Sequence, residues 1–261
     1  MTGTLRNPGC VLCHHVRSEE NAHSEPPAGR LTMLDEIREA AGKVARPHQE
    51  WPSVIRRRRL VVCLVLVAGA ILLGLSLRTR PGDPSFFWLT LSLAAVWVLG
   101  AFLSGPLHLG RIKWRGRNQR PVITGTAVGL LLGGVFLAGG LVARKIPPVA
   151  DLITQVLQYT NSGPLALIVL ITLVNGVAEE LFFRGALYTA LGDFYPVAVS
   201  TLLYVIATSA SGNLMLGFAA AIVGTVCALE RRATGGVLAP YLTHLVWGLI
   251  MVLALPPMFG L

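Results

Sequence analysis

Charge is what this sequence has least of. Asp, Glu, Lys and Arg make up 13% of 261 residues against 53% hydrophobic residues, and the mean hydropathy is +0.63. That scarcity excludes an ordinary soluble domain of this size. The motifs G-x-x-x-x-G-K-[ST], H-E-x-x-H and G-x-S-x-G are also missing. NTPase, zincin-type and serine-hydrolase readings therefore have no support. No apolar core follows the first residues, so the N-terminus lacks the layout of a secretory signal peptide. Inverted repeats and paired broken helices are lacking too, which removes the basis for a proton-coupled transporter. Cysteine is sparse, at four residues. Cys63 and Cys227 lie in apolar runs and read as small packing residues, not disulfide partners.

What the chain has instead is a series of long apolar runs, at 60–77, 86–104, 121–143, 164–187, 196–210, 214–228 and 236–255. Runs of about 18 residues or more read as transmembrane helices, and the fifth and sixth are shorter, at about 15. The expected fold is an all-α polytopic bundle of about seven spans, with eight if one boundary shifts. Gly125, Gly129 and Gly133 form a GxxxGxxxG ridge on the third run, which reads as close helix packing and not as a nucleotide loop.

The net charge of +9 is a topology and anionic-lipid signal, not a nucleic-acid footprint. Arg56, Arg57, Arg58 and Arg59 precede the first run, and Arg111, Lys113, Arg115, Arg117 and Arg120 fill the second loop. Arg231 and Arg232 lie between the last two runs. Basic residues collect in cytoplasmic loops, so the N-terminus is expected inside and the C-terminus outside.

Residues 1–59 form a separate cytoplasmic segment with 10 basic and 7 acidic side chains. Its first 32 residues are polar, rich in Pro and Ser, and read as disordered. An alternative start at Met33 would make that stretch an extension. Cys10, Cys13 and His14 match the spacing of a haem-attachment motif, and Cys10, Cys13, His15 and His23 offer zinc ligands. Both readings are weak, because haem attachment belongs outside the cytoplasm and zinc finds a single Cys pair. The stretch 33–46 reads as an amphipathic helix with Leu34, Ile37, Ala41 and Val44 on one face. Lying on the inner leaflet and standing as a solvated juxtamembrane helix fit it equally well.

Glu179, Glu180 and Arg184 are the charges set in the interior of a run long enough to cross a bilayer. A charge at that depth costs roughly 2.5–3.5 kcal/mol on insertion scales, so three together point to a site. Glu180 and Arg184 are four apart on one helical face and are expected to pair. Glu179 is rotated by about 100° and left free to take a proton. His244, the histidine in the interior of a span, falls at a similar depth in the last run. A glutamate and a histidine at one depth near the cytoplasmic side suit a hydrolytic centre. Each has a plainer alternative: a neutralised pair that locks helix packing, and a histidine bonded to a carbonyl freed by Pro240.

Glu179-Glu180-Leu181-Phe182-Phe183-Arg184 resembles the EExxxR motif of the CAAX-protease and bacteriocin-processing (CPBP, or Abi) intramembrane proteases. Ala239-Pro240 leading to His244 is similar to the approach of that family's third motif. The resemblance covers about 164–252, and what it implies is a multi-pass protein of the bacterial plasma membrane. Such a protein would be an endopeptidase acting on a membrane-associated peptide or protein substrate in the lipid bilayer. Glu179 would activate water, while Glu180 and Arg184 would hold the helix and the site together. No cofactor is strictly required by a glutamate-type mechanism, with a divalent metal such as zinc as the other option. Two positions depart from the family. Its second motif, FxxxH, falls on Tyr204 to Thr208, so Thr208 stands at the histidine. Gly248 stands where the third motif, HxxxN or HxxxD, ends. Threonine carries a hydroxyl but shuttles no proton near pH 7. These departures favour the alternative, a non-catalytic membrane scaffold or regulator that retains the fold.

Overall fold

The structure is a computed structural model that describes residues 35, 38, 42–45, 51–114, 117–161 and 163–261. The readings placed on residues 1–32, with Cys10, Cys13, His14, His15 and His23 among them, lie outside the described residues. So does most of the 33–46 helix, of which Asp35, Arg38 and Gly42 are helical.

The expected all-α polytopic bundle is what the chain forms. Among the described residues, six helices are long and apolar enough to cross a membrane. They are α1 (Pro52–Ser76), α2 (Pro84–Ser104), α3 (Val122–Ala143), α5 (Leu165–Leu191), α7 (Leu214–Thr234) and α8 (Leu238–Met258). A shorter apolar helix, α6 (Pro196–Ser209), joins them. The peripheral helix α4 (Pro147–Leu157) follows α3. A two-stranded antiparallel hairpin, β1 (Ile112–Trp114) and β2 (Arg117–Gln119), occupies the basic second loop.

Local chemistry sets the ends. Proline stands at the first turn of α1, α2 and α6, where its missing N–H has no helical partner to lose. Asp83 caps α2 by accepting from the Ser85 backbone N–H at 2.8 Å, and that bond holds its carboxyl below the usual carboxylate value. Asn213 caps α7 through the N–H groups of Met215 and Leu216, and Gly235 ends it at φ 71. Gly236 lies hard against the Gly110 backbone, an approach that leaves no room for a Cβ. The α7–α8 turn is thereby tied to the chain after α2. Val237 and Leu238 donate to the carbonyls of His108 and Leu109, and Arg111 donates to Thr234.

The bundle is three packed pairs around α5: α1 on α2, α3 on α8, and α6 on α7. The glycine ridge of α3 is a packing device. A Cβ at Gly125 or Gly129 would lie 2.7 or 2.8 Å from the Ala239 or Thr243 carbonyl oxygen, and one at Gly133 would meet Ile250. The largest core cluster gathers Trp97 of α2 with Phe182 and Phe183 of α5 and Tyr204 of α6. Outward, Ile123, Leu131, Trp88 and Leu214 are more than two-thirds exposed, as suits a surface facing lipid tails.

Two boundaries differ most from the sequence expectation. Helix α1 starts at Pro52 instead of residue 60 and so includes the arginine cluster, with Arg58 wholly buried against Ser104 and the Pro106 carbonyl. Helix α7 runs to Thr234 instead of 228, which brings Glu230 and Arg231 inside the bundle. Hydropathy ended both runs at the charges, whereas burial and capping carry the helices through them.

Candidate active site

Helix α5 changes geometry where the motif lies. Leu165–Glu180 is α-helical and Leu181–Leu187 is π-helical. Such wide turns are rare and recur at functional sites. Phe182 and Phe183 anchor the wide turn against Trp97, with ring centroids 4.5 and 5.2 Å away. Arg231 of α7 braces it from the other side. Its Nε donates to the Arg184 carbonyl at 2.8 Å, and its guanidinium lies 5.1 Å from the Tyr188 ring centre.

The expected ion pair is present: Arg184 Nη1 donates to Glu180 Oε1 at 2.9 Å, with both side chains buried. Arg184 Nη2 donates to the Gly224 carbonyl at 3.0 Å, and its guanidinium lies 4.7 Å from the Tyr204 ring centre. Gly224 permits this crossing, since a Cβ there would lie 3.0 Å from Tyr204 Cδ1.

His244 reaches the same carboxylate: its Nδ1 is 2.8 Å from Glu180 Oε1. A carboxylate already held by a guanidinium only accepts, so Nδ1 carries the proton and Nε2 is the variable nitrogen. The ring lies against Gly176, where a Cβ would stand 3.3 Å from His244 Cδ2. The plainer expectation, a histidine bonded to a freed carbonyl, gives way to this contact. The carbonyl four residues before Pro240, that of Gly236, accepts from the Thr234 hydroxyl at 3.3 Å.

Glu179 turns away from Glu180, as helical rotation requires, and meets α6. The Tyr204 hydroxyl donates to Glu179 Oε2 at 2.6 Å. Glu179 is half-buried, and Thr208 stands one turn beyond Tyr204. The carboxylate that His244 bonds is Glu180, while Glu179 is bonded by Tyr204. Glu179, Glu180, Arg184 and His244 are thus brought together, with Thr208 on the facing helix.

Glu230 is the charged group that the sequence reading left out. Thr243, which precedes His244, lies 2.9 Å from both Glu230 Oε1 and the Gly125 carbonyl oxygen. Glu230 stands four residues before Thr234 on an apolar helix, but the arginines beside it read as a loop. Asn175, one turn before Glu179, also carries an amide oxygen that is buried without a partner among the described residues. An open cleft lined by Leu77, Gln155, Tyr159 and Asn213 includes none of these groups.

The donor set does not suit zinc. Among the described residues no three His, Cys, Asp or Glu side chains gather as metal ligands, and Thr208 replaces a histidine with a weak donor. What the arrangement offers is a half-buried carboxylate beside a histidine fixed in one tautomer, inside an apolar bundle.

That combination defines a class: a multi-pass membrane protein with an intramembrane carboxylate–histidine centre. Residues 161–250 match the family described as type II CAAX prenyl endopeptidase Rce1-like. The match bears out the resemblance drawn from the EExxxR and APxxxH segments. No curated protein and no solved structure matches the chain.

Proposed function

We propose that this protein is an intramembrane endopeptidase of the CAAX-protease type, cleaving a peptide bond of a membrane-associated substrate. The observation that carries the reading is the division of labour between adjacent glutamates. Glu180 is spent on Arg184 and His244, while Glu179, bonded through Oε2 to Tyr204, keeps Oε1 without a hydrogen-bond partner among the described residues. In this mechanism Glu179 takes a proton from water as the water attacks the scissile carbonyl carbon. In its imidazolium form His244, oriented by Glu180, donates Nε2–H to the developing oxyanion, and the proton held by Glu179 passes to the leaving amine. Arg184 holds Glu180 in place.

The test is mass-spectrometric cleavage of a farnesylated peptide carrying three residues after the prenylated cysteine, with purified protein in bilayers. Glu179→Gln should lower the rate at least about a hundredfold with folding intact, the low end for general-base catalysis. In the proposed orientation the N-terminus is cytoplasmic, so a reporter fused at Leu261 should read the outside of a bacterial plasma membrane.

Thr208 and Gly248 favour a second reading, a scaffold that keeps the fold without the chemistry. At Gly248 an added Cβ would only touch Thr172, at 3.7 Å, so the position has room for a side chain that the chain does not supply. Activity in neither wild type nor Thr208→His across a broad substrate set would establish that reading.

A further inference from the structure

The phenol of Tyr204 has no place in the mechanism above, yet it makes the 2.6 Å contact to its key carboxylate. Tyr204 is buried, at 6% exposure, and its ring is held on several sides. Phe183 meets it edge-on at 4.8 Å, the Arg184 guanidinium lies over it at 4.7 Å, and Gly224 leaves it space. A ring so confined has little freedom to swing its hydroxyl away from Glu179. The hydroxyl carries one proton, and a carboxylate oxygen only accepts, so the direction of the bond is fixed. Glu180 engages Arg184 and His244 through its own Oε1 and leaves the Tyr204 hydroxyl to Glu179.

We propose that Tyr204 is a positioning residue for the reaction: its hydroxyl engages Glu179 Oε2 and so assigns Oε1 as the oxygen that receives the proton from water. This deepens the endopeptidase reading and rests on it for the reaction, while the contact itself is testable without turnover. Without the phenol, both carboxylate oxygens are free to rotate through the site, and the geometry of attack is lost more often than held.

The experiment compares wild type with Tyr204→Phe, which keeps the ring packing and the face over Arg184 and removes only the hydroxyl. With the farnesylated peptide as probe, kcat should fall at least about tenfold while KM stays within about twofold, the split expected when only transition-state geometry is lost. The second arm uses dicyclohexylcarbodiimide, an apolar reagent that couples to carboxyl groups in membranes, with adducts located by mass spectrometry. A carboxyl tied to a phenol is withheld from the reagent. Glu179 should label about tenfold faster in Tyr204→Phe, scaled to Glu180 in the same sample, matching the strength of a hydrogen bond to a charged group. Unchanged labelling overturns the proposal whether or not the peptide is cleaved. Faster labelling with a wild type inert toward every substrate upholds the contact and overturns the endopeptidase reading instead. Unchanged kcat in an active enzyme also overturns it. Should Tyr204→Phe fail to fold, Glu179→Asp shortens the reach to the hydroxyl by one methylene and carries the same labelling comparison, with equal rates counting against the proposal.

Discussion

Helices α5 and α7 both carry glutamate and arginine side chains, and they use them in opposite ways. In α5 the charges are four apart on one face, so Glu180 and Arg184 neutralise each other and together fix His244. In α7 the charges are adjacent, and the helical rotation of about 100° drives them apart. Glu230 turns to Thr243 at the α3–α8 contact, while Arg231 turns to the π-helical backbone of α5. Spacing decides the outcome. The first arrangement makes a site, and the second makes two separate struts that hold the site's walls.

The difference is sharpest in stability. Glu180→Gln leaves Arg184 buried and uncompensated, which costs about 3–5 kcal/mol. It should lower the folded yield in a detergent melting assay, with Glu180→Gln/Arg184→Ala partly restoring it. Equal melting of all three proteins would dissolve the pair on which the comparison stands. Next in size is Gly176→Ala, which presses a methyl group against the His244 ring and costs about 1–3 kcal/mol as overpacking. It should lower cleavage more than it lowers melting, because the imidazole yields before the backbone does. A change in melting with full activity would mean that the ring position is not critical. The smallest effect is expected from Glu230→Gln, where an amide oxygen still accepts from Thr243. Its cost should be about 1 kcal/mol, that of one ordinary hydrogen bond altered. A loss as large as that of Glu180→Gln would give α7 a buried charge as demanding as that of α5.

The spans were legible in the sequence because an apolar run of bilayer length has few other uses. The pair Glu180–Arg184 was legible because helical geometry fixes which residues share a face. The pairing of His244 was not. Depth placed it level with Glu179, and its bond to Glu180 instead depends on the rotation of α8, which a helical run does not encode. Tyr204 stood in view at the start of the second motif, but nothing in the run marks its hydroxyl as a partner of Glu179. Arg58, Glu230 and Arg231 were lost for one reason. Charges at the ends of apolar runs look like loop residues, and only tertiary contacts show that the helices continue past them.

In the proposed mechanism Glu179 performs the chemistry, Glu180 orients His244 and Glu230 only engages Thr243, and one cleavage assay addresses this division directly. Wild type, Glu179→Gln and Glu230→Gln are reconstituted at equal folded amounts in bilayers with the farnesylated peptide, and product is counted by mass spectrometry. The account predicts a loss of at least about a hundredfold for Glu179→Gln and a change within a few-fold for Glu230→Gln. Undiminished cleavage by Glu179→Gln would contradict it.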